Sequence, residues 1–305
     1  MKFTVFSDIH HHPGVSPSGD EPFLEIIQKR AEANHCDFII SGGDFTHGPS
    51  AENVQNYLKM YNDFHIPSYH ALGNHDTDET PLEETLQYYK MAHNYYYFDC
   101  KGYRIIICDP NYYLEDGEYK HYNLGNYYSV KGSLRGIMPP EQVEWLRETI
   151  DTAEGSCIIL SHESFEREYN GIYNLNEVRK VINDANKKKP YSVLMCINGH
   201  HHVDYLRIID NVAYLDLNSA SFHCYSNTHD LFPKELVEKY WALPRLTCFN
   251  EPLHAVITVE GTQITIDGTD GTFFMGVEPA DTGNSPFDTA MRRYTSKISS
   301  AKFTL

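Results

Sequence analysis

The chain has 305 residues, 41% hydrophobic and 22% charged, a make-up that provides ample core for one large α/β domain or two smaller ones. Its formal net charge of −17 argues against a broad nucleic-acid-binding surface, which needs clustered Lys and Arg. A small phosphorylated substrate is compatible with that charge, because bound cations reverse a local field. The seven cysteines are odd in number, show no CxxC spacing and sit largely in apolar runs. Reduced thiols and a cytoplasmic location are therefore expected, with no leader peptide and no membrane span.

In chain order, Phe3–Phe6 predicts a short buried strand that ends at Ser7-Asp8-Ile9-His10. Residues 11–20 read as a loop, and Phe23, Leu24, Ile26, Ile27 and Ala31 have helical spacing, with Asp20 as the expected cap. A strand at Asp37–Ser41 closes with Gly42-Gly43-Asp44, a helix spans Val54–Phe64, and a strand at Ile66–Leu72 closes with Gly73-Asn74-His75-Asp76. This strand–helix alternation implies a layered α/β architecture with substantial parallel pairing. Tyr95–Phe98 and Tyr103–Cys108 read as a hairpin about Lys101-Gly102, and residues 109–136 as an irregular excursion. A helix follows Pro139-Pro140.

The strand Cys157–Leu160 runs into Ser161-His162-Glu163, and Asn176 is the expected cap of a helix carrying Val178, Val181 and Ile182. The apolar run Ser192–Ile197 stops at Asn198-Gly199 and then presents His200, His201 and His202. Strands at Tyr205–Ile209 and Val212–Leu217 and a hairpin of Leu253–Val259 with Gln263–Asp267 complete the pattern. Segment 223–250 has near-helical apolar spacing and reads as core, with a cap over a site or a dimer surface as alternatives. Residues 1–268 are expected to form one domain, and 269–305 an extension without assignable structure.

Five segments place potential ligands directly after predicted buried strands: Asp8-x-His10, Asp44, Asn74-His75-Asp76, His162 and His200-x-His202. The carboxyl ends of strands are where ligands bind in open α/β sheets, so these loops are expected to meet. Seven Asp, Asn and His donors are too many for one tetrahedral ion and suit two ions sharing a carboxylate. Singly, each has a plainer reading: a lone Asp caps a turn, and a lone His is a structural hydrogen-bonding group. Only their joint, ordered occurrence points to a metal site.

In that order, DxH, GD, GNHD, H and GHxH, the segments resemble the calcineurin-like metallophosphoesterase superfamily, and the helix start Pro140–Leu146 is similar too. The resemblance covers roughly residues 1–220. The layout is similar to compact bacterial-type members, including those resembling cyclic-nucleotide phosphodiesterases. It implies a layered β-sandwich flanked by helices, with a dimetal site at the C-terminal ends of strands. It also implies one metal on Asp8, His10 and His202, a second on Asn74, His162 and His200, and Asp44 bridging both. Mn, Fe or Zn would serve.

By the same resemblance His75 acts on the phosphoryl group, Asp76 orients His75, and a metal-bound hydroxide attacks phosphorus. The implied function is hydrolysis of a small or nucleotide-like phosphomonoester or phosphodiester. A nuclease or phosphoprotein phosphatase is the alternative, and a catalytically silent scaffold a lower one. His47 stands where purple acid phosphatases carry tyrosine, so an iron charge-transfer site is not expected. His11, His12, His47 and His201 read as solvent-facing or supporting groups, with contact to substrate or a further ion as the alternative. The tyrosine excess in 88–128 reads as strand packing, with an aromatic substrate pocket as the alternative.

Overall fold

A computed structural model describes residues 1–130, 135–224, 229–282 and 294–305. In chain order the elements are β1 (Lys2–Phe6), α1 (Phe23–Ala33), β2 (Phe38–Ser41), α2 (Glu52–Asn62), β3 (Ser68–His70), α3 (Leu82–Tyr88), β4 (Tyr96–Cys100), β5 (Tyr103–Ile107), β6 (Tyr112–Glu115) and β7 (Glu118–His121). There follow α4 (Pro140–Asp151), β8 (Ser156–Leu160), α5 (Leu175–Lys188), β9 (Val193–Asn198), β10 (Tyr205–Ile209), β11 (Val212–Asp216) and β12 (Phe222–Cys224). The last are α6 (Lys234–Lys239), β13 (Leu246–Cys248), β14 (Ala255–Glu260), β15 (Gln263–Gly268) and β16 (Ala301–Thr304).

Two six-stranded sheets result, ordered β16-β15-β14-β1-β2-β3 and β10-β11-β9-β8-β5-β4. β1, β2 and β3 pair in parallel, as do β5, β8, β9 and β11, while β14 runs antiparallel beside β1. The most buried strands, such as β2 and β9, are largely apolar on both faces, as strands covered on both sides must be. Phe3, Val5, Phe38 and Ile40 of the first sheet meet Ile105, Ile107, Ile158, Leu160 and Ile197 of the second in one buried cluster. Alternate residues turn outward. Phe6 and Ile39 pack under Leu24, Ile27, Leu58 and Tyr61 of α1 and α2, while Ile106 and Ile159 pack under Leu146, Ile150, Val178 and Ile182 of α4 and α5. The order of layers is thus helices, sheet, sheet, helices. Each fully buried side chain of this size contributes about 1.5–3 kcal/mol.

Both expected caps differ. Asp20 does not cap α1, which starts after Pro22; its carboxylate accepts hydrogen bonds from Lys239 Nζ (2.8 Å) and Tyr240 Oη (2.7 Å). Asn176 lies inside α5, and the flanking residue Asn174 exchanges two hydrogen bonds with the Met138 backbone. The excursion 109–136 contains the β6–β7 hairpin. In segment 223–250, Phe232, Tyr240, Leu243 and Leu246 join Val15 and Phe222 in a small core of their own, while Trp241 stays exposed; residues 225–228 lie outside the described residues. β16 pairs with β15, so residues 301–304 extend the first sheet. Among the described residues no helix is long and apolar enough to cross a membrane.

Candidate metal centre

The strands β1, β2, β3, β8 and β9 all end at one edge of the sandwich, and the residues that follow them turn sharply. Asp8, His10, Asp44, His200 and His202 hold φ values of 54°, 46°, 50°, 65° and 51°. This is the left-handed region, sparsely populated by side-chain-bearing residues and costing of order 1–3 kcal/mol each. The neighbouring loops lock these turns. The amides of Asp8 and His10 donate to the carbonyls of Gly43 (2.9 Å) and Asp44 (3.0 Å), and the hydroxyls of Ser219 and Ser221 both donate to the Asp8 carbonyl (2.8 and 2.9 Å). Gly73 and Gly199 are required by close approach: a Cβ on Gly73 would lie 2.3 Å from the Asp44 nitrogen, and one on Gly199 2.3 Å from Asp8 Oδ2.

Two groups of donors converge there. Asp8, His10 and His202 form one, and Asp44, His162 and His200 the other, with the donor atoms of each group within 4.8 Å of one another. His202 Nε2 lies 3.1 Å from Asp8 Oδ1, and His10 Nε2 is 3.5 Å from His202 Nε2. Asp44 stands between the groups, its Oδ2 3.1 Å from His162 Nε2 and 3.8 Å from His10 Nε2. Backbone carbonyls hold the far side of two rings. His162 Nδ1 bonds Gly42 O (2.9 Å) and His202 Nδ1 bonds Phe222 O (2.7 Å), which leaves each Nε2 facing the cluster.

Asn74 donates through Nδ2 to Tyr127 Oη (3.2 Å), and its Oδ1 is buried without a hydrogen-bond partner. An orphaned acceptor beside two buried Asp/His groups fits a cation, since such a group is costly unless something completes it. Burial holds His10 and His200 well below the ordinary histidine range, the neutral form that ligates metals. Burial pushes the other way on Asp44, but the imidazoles of His162 and His75 outweigh it and keep the carboxyl ionised.

His75 stands beside these groups, its ring 5.4 Å from that of His10. Its amide donates to Asp44 Oδ1 (2.7 Å), and its Nδ1 lies 2.6 Å from Asp78 Oδ2. The partner expected in Asp76 is therefore Asp78. Asp76 instead accepts from the amides of Gly73 (2.7 Å), Asp44 (3.0 Å), Phe45 (2.9 Å) and Thr46 (3.1 Å) and from Tyr89 Oη (2.5 Å), shaping the loop that presents Asp44. Asp78 is further held by Tyr127 Oη (2.9 Å) and Tyr128 Oη (2.8 Å). Asp78 is not among the expected site residues; its spacing of three from His75 within a turn is the signal the sequence carries for it.

Asn74, His75 and His200 also line a cavity of about 550 Å³ whose other walls include Tyr122, Tyr127, Tyr128, Tyr173, Arg135 and Glu163. Tyr122, Tyr127 and Tyr128 stack in sequence, with ring centroids 4.2 and 4.3 Å apart. The tyrosine excess of 88–128 thus divides: Tyr89, Tyr96 and Tyr103 pack within the fold, while Tyr122, Tyr127 and Tyr128 form a wall of the cavity.

Helix-flanked sheets with clustered Asp, Asn and His donors at their strand ends define a layered α/β framework carrying a candidate metal centre. Residues 1–204 match the calcineurin-like phosphoesterase family, and the chain belongs to that family of phosphate-ester hydrolases. No curated protein matches it significantly. Among solved structures it is similar to a dimetal phosphatase from Danio rerio, at 14% identity and a TM-score of 0.63, over 90% of this chain and 98% of that one. It is also similar to GAP50, the anchor in the inner membrane complex of Plasmodium, at 13% identity and a TM-score of 0.55, over 90% of this chain and 84% of that one. At these identities the likenesses concern the fold.

Proposed function

We propose that the protein hydrolyses small phosphate esters, nucleotide-like monoesters or diesters, at a two-metal centre. The observation that carries this reading is the pair of buried donor groups meeting at Asp44 and opening, through His75, into the tyrosine-walled cavity. Asp8, His10 and His202 would hold one ion, Asn74, His162 and His200 the other, and Asp44 both. Such ions supply Lewis acidity, making water nucleophilic near neutral pH and neutralising phosphoryl oxygens. Mn, Fe and Zn all accept this nitrogen and oxygen donor set.

His75, with Nδ1 on Asp78, keeps Nε2 for the leaving oxygen and stabilises or protonates it there. Asp76 acts at one remove, by fixing the amides around Asp44. The cavity takes the group esterified to phosphorus, and its tyrosines suit a planar ring. A net charge of −17 disfavours a nuclease, and seven free thiols suit a cytoplasmic setting.

The test is hydrolysis of bis(p-nitrophenyl) phosphate and p-nitrophenyl phosphate with and without Mn²⁺, alongside elemental analysis. Metal-dependent turnover with about two ions per chain is expected, and Asp44→Asn lowers both together. A protein that takes up no metal and turns over neither ester overturns the reading.

A further inference from the structure

We propose that His47, His75 and Asp78 form a third divalent-cation site beside the two donor groups, and that an ion held there withdraws His75 from substrate. The inhibitory part rests on the role given to His75 above; the binding part does not.

One donor atom from each of these three residues lies within 4.8 Å of the other two. Asp78 Oδ2 is the common point, 2.6 Å from His75 Nδ1 and 3.5 Å from His47 Nδ1. Ligands at about 2.0–2.1 Å around a tetrahedral zinc ion stand roughly 3.3 Å from one another, so the His47–Asp78 separation already matches. Two imidazoles and one carboxylate, with water in the fourth place, form a donor set zinc accepts.

The arrangement is built in advance. Tyr127 and Tyr128 donate to the two oxygens of Asp78 and fix its plane, and the Glu79 amide donates to the His47 carbonyl (2.9 Å). His47 Nε2 is buried without a hydrogen-bond partner, so no rival bond there dictates how the ring is turned. The side chains of His47 and Asp78 are 13% and 10% exposed and that of His75 27%, enough for an ion to enter from solvent. His47 follows β2 and His75 and Asp78 follow β3, the same loops that carry Asp44 and Asn74. The third site therefore shares the rigid footing of the other two.

The ion and the His75–Asp78 hydrogen bond compete for the same atoms. Without it, Asp78 Oδ2 accepts from His75 Nδ1; with it, both become ligands, their 2.6 Å separation must widen to roughly 3.3 Å, and the ring shifts from the position in which Nε2 faces the leaving oxygen. Because that bond must be broken, the third ion binds more weakly than the first two, and zinc is expected to activate at low concentration and inhibit at higher concentration.

The test is equilibrium dialysis of the metal-loaded protein against rising Zn²⁺, with ion counts by elemental analysis and rates on bis(p-nitrophenyl) phosphate. A third ion is expected in the wild type and absent in His47→Ala and in Asp78→Asn, while both variants keep the other two ions, which also shows that they fold. The wild-type rate should fall about a hundredfold or more as the third ion binds, the lower reach of a general acid's contribution. The rate of His47→Ala, normalised to its own maximum, should not fall. Two ions in the wild type at excess zinc, or a third ion retained in both variants, overturns the site, and a third ion without loss of rate overturns its inhibitory role. If no ester is hydrolysed at all, the proposed function fails, but the ion counts still decide the site.

Discussion

His75 and the residues around it separate binding from chemistry. The hydrogen bond from His75 to the Asp44 carboxylate comes from its backbone amide, so His75→Ala leaves that contact in place. Turnover of bis(p-nitrophenyl) phosphate should fall by about 10²–10⁴-fold with the ion count unchanged; loss of ions would assign His75 to the metals instead. Gly199→Ala should do the opposite. Its added Cβ would stand 2.0 Å from Ser7 Oγ and 2.3 Å from Asp8 Oδ2, so Asp8 must move, and elemental analysis should show metal content falling together with activity. The strained φ values at Asp8, His10, Asp44, His200 and His202 belong to the same account: a conformation that costs energy persists where the surroundings hold it.

At the scale of elements, the β6–β7 hairpin is pinned to the end of β5 by an ion pair, His121 Nε2 to Asp109 Oδ2 at 2.6 Å. Burial pushes His121 down, but the Asp109 carboxylate outweighs it and raises its pKa above the ordinary value; Asp109 stays below its own despite burial, chiefly through His121. A histidine with a raised folded pKa stabilises fully below its unfolded value, about 6.5, and loses that contribution as pH rises through the folded value. The difference in thermal midpoint between wild type and His121→Gln should therefore be largest below about pH 6.5 and shrink as pH rises through the raised folded value; a difference independent of pH would contradict it.

The same hairpin is poorly legible in the sequence. Asp116 and Gly117 hold φ values of 53° and 84°, the tight turn that an Asp-Gly pair favours, yet the surrounding tyrosines and glycines obscured the short strands. The ligand-bearing elements were legible because each joins an apolar run to a small or polar turn. The partners of Asp20, Asn174 and Asp78 were not, because each is settled by a neighbour brought in from elsewhere or by the shape of a turn.

Across the whole molecule, the candidate ligands are split between the layers. Asp8, His10, Asp44 and Asn74 follow strands of the first sheet, and His162, His200 and His202 follow strands of the second. Ions held between them would clamp the two sheets together, so removal of metal should loosen the fold as well as stop catalysis. Free ion at 100 times its dissociation constant stabilises a site by about 2.7 kcal/mol. Chelation should lower the thermal midpoint, and Mn²⁺ should restore it in wild type but not in Asp44→Asn; an unchanged midpoint would show that the sheets need no clamp.

The wide separation of those ligands along the chain bears on how the protein is made. The His200 amide bonds an Asp8 carboxylate 192 residues away, and β1 completes its pairing only with β14. A growing chain emerging from the ribosome can form the β1–α1–β2 unit early, but β1 remains open along one side until β14 has been synthesised. Contacts over such distances are slow to close, so loading of the proposed metals would be a late event, and before it the half-finished sheet is the stage most exposed to mispairing.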